Sequence, residues 1–381
     1  MFYRDFQGKK LSALGFGMMR LPVIDGKDSQ IDEAAALHMV DIAMENGVNY
    51  YDTAWGYHSE NSELVAGKAL ARYPRDSFYV ATKFPGYDPA NWDKVEEIFE
   101  RQLEKLQMEY FDFYLVHNVC EMNIDAYLDD EKYGIYSYLM KQKENGRIKH
   151  LGFSCHGDID VLNRFLEAYG KDMEFCQLQI NYLDWTFQNG KEKVDILDKW
   201  GIPVWVMEPL RGGSLANLAP VHEDVLRCLR PDEKIPAWAF RFLFGIPSVT
   251  MILSGMSNEE QMLDNLETFK EERKLNEEET QALLQIAQQM IEAKTVPCTA
   301  CHYCTSHCPQ ELDIPTLISL FNEHKYSDGG FMAPMVIGTL EEDKKPSACL
   351  HCRSCEEVCP QQIKISDVME EFAEMLTKKS E

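Results

Sequence analysis

Eight of the chain's twelve cysteines fall in two copies of one short pattern, Cys298-x2-Cys301-x2-Cys304-x3-Cys308-Pro309 and Cys349-x2-Cys352-x2-Cys355-x3-Cys359-Pro360. The copies begin 51 residues apart, and the likeness runs past the cysteines. Ile314 and Phe321 stand 6 and 13 residues after Cys308, and Ile365 and Phe372 stand at the same distances after Cys359. Each copy therefore reads as a cysteine loop feeding a helix, duplicated once. Spacing this tight is of the metal-binding type rather than a disulfide framework, and it points to a reducing compartment, the cytoplasm.

The run of three cysteines two residues apart, with a fourth before proline, is the pattern that ligates [4Fe-4S] clusters. Three such thiolates wrap three corners of one cubane, and the fourth, held away by the proline turn, reaches the other cluster. Cys298, Cys301, Cys304 and Cys359 are thereby expected around one cluster, and Cys349, Cys352, Cys355 and Cys308 around the second. Zinc is the competing reading, but zinc sites pair cysteines two and two. The segment resembles two-cluster ferredoxins. Its long spacer between the runs, with helix-like Thr316–His324, is closer to their helical variety. That resemblance implies single-electron transfer. Cys120, Cys155, Cys176 and Cys228 are scattered and read as core residues by default.

The rest of the chain is ordinary in composition and strongly acidic. Of 381 residues, 38 are Lys or Arg and 63 are Asp or Glu, a net charge of −25. Such a surface repels phosphate backbones and anionic lipid headgroups, which argues against nucleic-acid and membrane partners. No apolar run reaches the roughly 20 residues of a membrane-spanning helix, and MFYRDFQGKKL lacks the apolar core of a signal peptide.

Residues 1–272 alternate amphipathic helices with short apolar strands. Three helices end in Asn46-Gly47, Asn145-Gly146 or Trp200-Gly201 and lead into Val48–Tyr51, Ile148–Phe153 or Ile202–Val206. Further strands are expected at Gly15–Met19, Phe78–Ala81, Phe113–Val116, Phe175–Leu178 and Val249–Leu253, with a hairpin within 2–13. About eight strand–helix units in this length make an α/β fold, a (β/α)8 TIM barrel. The doubly wound alternative lacks its glycine fingerprint, because Gly15-Phe16-Gly17 is followed by Met18-Met19-Arg20. Residues 273–295 read as a linking helix and 296–381 as a small, mostly helical ferredoxin-like domain.

Polar residues stand just after successive strands: Asp52, Lys83, His117, Ser154 and Glu208, with Gln177 near the end of another. In a barrel those strand ends share one face, where active sites form. Asp52-Thr53-Ala54-Trp55-Gly56-Tyr57, Thr82-Lys83 and Leu115-Val116-His117 resemble the catalytic tetrad of the aldo-keto reductases, over roughly residues 1–270. The resemblance implies interconversion of a carbonyl and an alcohol. Tyr57 would donate the proton, Lys83 would lower its pKa, Asp52 would hold Lys83 charged, and His117 would orient the substrate oxygen.

It also implies an NAD(P)H site formed by Ser154, Gln177, Leu210, Arg211, Gly212, Ser254, Gly255, Gln261 and Asn265. Cys155 stands where the family has an amide side chain, and Gln261 where it has an arginine for the NADP 2′-phosphate. Glu208 would repel a pyrophosphate, with Arg211 and the Gly212-Gly213 amides to compensate. Ser257 and Glu260 suggest a capping box opening the next helix.

The leading expectation is an oxidoreductase acting on a small carbonyl or alcohol, its clusters relaying electrons to or from an external carrier of ferredoxin or flavodoxin type. Hydride carries two electrons and each cluster passes one, so FMN is a candidate bridge. The alternatives are a nicotinamide-only reductase with structural or sensing clusters, and a redox-regulated binding protein on a reductase fold.

Overall fold

The computed structural model describes residues 1–377 apart from 299, 303, 328 and 360; Pro360 of the second cysteine run thus lies outside the described residues. The chain divides into two compact units, Met1–Leu284 and Gln285–Glu381, and the helix Glu277–Glu292 spans the division.

In the first unit a two-stranded antiparallel hairpin, β1 (Tyr3–Phe6) and β2 (Lys9–Ser12), precedes a closed barrel of eight parallel strands. These are β3 (Leu14–Gly17), β4 (Tyr50–Asp52), β5 (Tyr79–Phe84), β6 (Phe111–Val119), β7 (Ile148–Cys155), β8 (Cys176–Gln179), β9 (Val204–Met207) and β10 (Val249–Gly255), which closes on β3. The expected (β/α)8 barrel and its opening hairpin are present. The helix stops expected from sequence are left-handed, with φ of +83° at Gly47, +74° at Gly146 and +69° at Gly201.

Alternation along the strands explains both the core and the site. Every second residue faces the barrel axis. Tyr50, Ala81, Phe113, Phe175, Trp205 and Met251 fill the interior, and Phe6 and Leu11 of the hairpin join them. One inward step along the same strands places Asp52, Lys83, Leu115 and Gln177 above that layer. The hairpin is fastened where strands begin: Ser12 N–H donates to Asn49 Oδ1 at 2.8 Å, and Gln7 Nε2 to Glu174 at 2.8 Å. The opposite, C-terminal end of the barrel is left for chemistry.

In the second unit the two cysteine runs lead into the helices Ile314–Tyr326 and Ile365–Thr377. Ile314, Phe321, Ile365 and Phe372, the repeated positions, are all buried in one cluster. The Phe321 and Phe372 rings meet edge-on at 5.8 Å. No helix among the described residues is long and apolar enough to cross a membrane.

Candidate active site and cysteine cavities

Lys83, on β5, is almost wholly enclosed, with a side chain 1% exposed. Its ammonium donates to Asp52 Oδ1 at 2.6 Å and to the Thr53 carbonyl at 2.7 Å, and lies 3.4 Å from the Tyr57 hydroxyl. His117 sits edge-on to Tyr57, ring centroids 6.2 Å apart, and its buried Nδ1 has no hydrogen-bond partner among the described residues. The four side chains of the expected tetrad are therefore brought together.

Their electrostatics follow from that enclosure. Burial pulls the Lys83 ammonium down, but Asp52 and Tyr57 outweigh it, and Lys83 stands above its ordinary value. Burial lifts the Asp52 carboxyl in spite of Lys83. Burial, with Lys83 and His156 adding to it, pushes His117 well below the usual imidazole range, which makes it a neutral hydrogen-bonding group. Tyr57 departs from expectation. Lys83 does favour its phenolate, but burial, Asp52 and Glu208 act the other way, and the hydroxyl is raised above its ordinary value.

Beside the tetrad runs a groove of about 330 Å³ lined by Asp52, Tyr57, Gln177, Leu210, Gly212, Ser254, Gly255, Gln261 and Asn265 among others. Asn265 Nδ2 donates to Ser254 Oγ at 3.0 Å. Two expected cofactor contacts do not line the groove. Ser154 Oγ accepts the Asn118 N–H at 2.7 Å, which ties the ends of β6 and β7 together. The Arg211 guanidinium is buried against Asp184, with Nε at 3.1 Å from Oδ1. The capping box is shifted by one residue. Asn258, not Ser257, caps the helix Glu259–Thr268 by accepting the Gln261 N–H at 2.9 Å, and Gln261 Oε1 accepts the Ser257 N–H at 2.8 Å.

A nicotinamide fits the tetrad end of this groove. Gln177 Oε1 is buried without a partner among the described residues, an acceptor suited to a carboxamide N–H. The phosphate end fits poorly, because Glu208 Oε2 already accepts the Gly212 N–H.

Sequence reasoning missed a buried network behind Lys83. Glu63, fully enclosed, accepts from Thr82 Oγ1 at 2.5 Å, Gln102 Nε2 at 2.8 Å and Lys105 Nζ at 3.2 Å, and Gln102 Nε2 also reaches the Lys83 carbonyl at 2.9 Å. The signal was available: Gln102 and Lys105 interrupt the apolar face of the helix Val95–Leu106.

The second unit carries two cavities. Cys298, Cys301, Cys304 and Cys359 line one, with Ile318, Ile363 and Ile365. Cys308, Cys349, Cys352 and Cys355 line the other, with Ile314, Ile365 and Met369. The fourth cysteine of each run thus joins the other run's first three. Cys359 acts electrostatically on Cys298 and Cys304, and Cys308 on Cys349 and Cys355. Burial raises all four of those thiols, Cys355 to about 12, so their ionisation calls for a strong positive charge in the cavity. Four sulfurs around an apolar-walled cavity fit a cubane better than one zinc ion.

Residues 13–288 match the model of the aldo/keto reductase family. The chain belongs to that family. Residues 297–363 match the model of a 4Fe-4S dicluster domain, so this aldo/keto reductase carries a ferredoxin-type domain at its C-terminal side. It is 28% identical over 215 residues to a probable aldo-keto reductase 1 from Glycine max, a match spanning 54% of this chain and 58% of that protein. It is 24% identical to the L-galactose dehydrogenase of Arabidopsis thaliana, covering 69% of this chain and 86% of the relative. It is likewise 24% identical to the NADH-specific methylglyoxal reductase of Escherichia coli, covering 67% and 89%. Among solved structures, the holo form of an aldo-keto reductase from Bacillus halodurans superposes with a TM-score of 0.60 at 24% identity, covering 75% of this chain and 95% of that one. One from Klebsiella pneumoniae in complex with NADPH gives 0.59 at 18%, covering 75% and 96%. These likenesses show the fold.

Proposed function

We propose that this aldo/keto reductase interconverts a small carbonyl and an alcohol at the C-terminal end of the barrel, and that its eight clustered cysteines hold two [4Fe-4S] clusters that exchange single electrons with an external carrier. The observation that carries the first half is the placement of the Lys83 ammonium between Asp52 and Tyr57. In the reductive direction Tyr57 gives its proton to the substrate oxygen as negative charge develops there. Lys83 stabilises the phenolate left behind, Asp52 keeps Lys83 charged and fixed, and neutral His117 orients the oxygen. When bound, a nicotinamide would supply the hydride to carbon. Gln177 is the residue suited to hold its carboxamide, and a relative named as NADH-specific supports that choice of cofactor.

The second half rests on the crossed cysteine sets, the arrangement in which the fourth cysteine of each run ligates the other run's cluster. Each cluster is the one-electron element of the scheme. A carrier of ferredoxin or flavodoxin type is the chemical class that meets such a port.

The deciding experiment is a visible spectrum of anaerobically purified protein before and after NADH or NADPH. Bleaching of the iron–sulfur absorbance supports electron exchange between nicotinamide and clusters, and a flavin-shaped band identifies FMN as the bridge between two-electron and one-electron chemistry. Clusters that bleach with dithionite but never with nicotinamide, substrate or carrier sink the relay, and leave clusters of structural or sensing kind. Wild-type turnover in Tyr57→Phe sinks the proton-donor assignment.

A further inference from the structure

The loop after β9 supplies its own anion. Glu208, Arg211, Gly212 and Gly213 all have left-handed backbone, with φ of +55°, +47°, +64° and +96°. Left-handed residues within a tight turn direct N–H groups into a concavity that suits an anion. Non-glycine residues persist in this region only where the surroundings hold them, and here they are held from beneath. Fully buried Asn181 donates from Nδ2 to the Glu208 carbonyl at 3.0 Å and to Asp184 Oδ2 at 2.7 Å. The Arg211 N–H reaches the same Glu208 carbonyl at 3.0 Å, and the Arg211 side chain is anchored in Asp184.

Two consequences meet in the groove. The loop's cation is committed to Asp184 beneath it. The loop's carboxylate faces the groove and accepts the Gly212 N–H at 2.5 Å. Around the groove, Arg20 is the cationic side chain among the described lining residues, against the carboxylates of Asp52, Glu208 and Asp264. Asp52 is balanced by Lys83 and Asp264 is paired with Lys234, which leaves Glu208 against Arg20.

We propose that Glu208 is the specificity-determining residue of this groove: its carboxylate occupies the anion position at the Gly212 amide, so a phosphate-bearing ligand enters only by displacing it, and ligands are discriminated against by the negative charge they place at that amide. The inference deepens the reading of a dinucleotide in the groove and rests on it for the identity of the natural ligand. The Asn181–Asp184–Arg211 scaffold sets the loop backbone independently of the Glu208 side chain, so the concavity survives substitution at 208.

The test uses the full, cluster-loaded protein and two probes, inorganic pyrophosphate and the pair NADH and NADPH, titrated at fixed ionic strength by calorimetry. Glu208→Ala vacates the amide, whereas Glu208→Gln keeps an acceptor but removes the charge. The expected result is that Glu208→Ala tightens pyrophosphate about tenfold or more, as removal of an apposed like charge should. Glu208→Gln should fall between it and wild type, and NADH and NADPH, which carry the same pyrophosphate, should both tighten in the two variants. Near-ultraviolet circular dichroism confirms that the variants keep the wild-type fold. Unchanged or weaker pyrophosphate binding in both variants overturns the inference. Tightened pyrophosphate with no binding of either dinucleotide in any of the three proteins leaves Glu208 as the anion-site occupant and removes the nicotinamide reading instead.

Discussion

The Lys83 ammonium lies 2.6 Å from Asp52 Oδ1 but 3.4 Å from the Tyr57 hydroxyl, so in this state the lysine belongs to the aspartate and only leans toward the tyrosine. Removing the carboxylate should expose both dependencies. Asp52→Ala leaves a buried ammonium with the Thr53 carbonyl as its remaining close partner, which should cost roughly 3–5 kcal/mol of stability. Asp52→Asn keeps an acceptor and should cost less. Both should lower kcat by about 100-fold or more, because Lys83 is no longer held charged beside Tyr57. Chemical denaturation and steady-state kinetics on the same preparations check this. A wild-type midpoint for Asp52→Ala would mean that the pair is not an ion pair in solution.

Tyr57 should be a proton donor over an unusually wide range. Burial raises its hydroxyl above the ordinary value of about 10, so the protonated, donating form persists through neutral and mildly alkaline pH. The kcat/KM for carbonyl reduction should therefore be flat in Tyr57's protonation from neutrality to about pH 10 and fall only above it. Glu208 contributes to the rise. Replacing it with Gln removes a negative charge that opposes phenolate formation, so the alkaline limb should move to lower pH. A limb that stays in place, or moves up, contradicts the assigned electrostatics.

Phe6 links the opening hairpin to the barrel. Its ring meets Trp205 at 5.0 Å, His150 at 5.1 Å and Phe113 at 5.7 Å, and it is buried at the end of the barrel away from Tyr57. Phe6→Ala should destabilise the barrel by about 3–5 kcal/mol while leaving kcat below the melting transition within a factor of about two, since the charge cluster at the far end is untouched. Urea unfolding followed by tryptophan fluorescence, which Trp205 reports directly, measures the first quantity.

What was legible from sequence follows from the range over which each interaction acts. The strands were readable because apolar runs such as Phe113–Val116 carry their own pattern, and the helix stops because Gly47, Gly146 and Gly201 answer a local backbone demand. The tetrad was readable because parallel strands align their ends, so Asp52, Lys83 and His117 fall together once each is placed toward the C-terminal end of its strand. Arg211 was misplaced for the opposite reason: its partner Asp184 is 27 positions away, at the start of the short helix Asp184–Phe187, and no spacing rule links them. The Glu63–Gln102–Lys105 network needs the packing of two helices to become visible. The shifted cap reflects two neighbouring residues, Ser257 and Asn258, both able to cap, with the choice settled by the Gln261 N–H.

The crossing of the two cysteine runs makes a prediction that single substitutions cannot. If Cys308 belongs with Cys349, Cys352 and Cys355, as the cavity lining suggests, then Cys308→Ala and Cys349→Ala strike the same cluster. The double variant should lose about four of about eight irons, no more than either single variant. Cys308→Ala combined with Cys298→Ala strikes both and should lose nearly all of them. Without crossing the outcomes exchange: Cys308 with Cys298 would spare one cluster, and Cys308 with Cys349 would spare neither. Iron and sulfide assays on anaerobically purified protein, with electron paramagnetic resonance of the dithionite-reduced samples, separate the two schemes. Two interacting paramagnets should give way to the signal of one in the Cys308–Cys349 pair, whereas a chain that binds zinc would show no such signal in any variant.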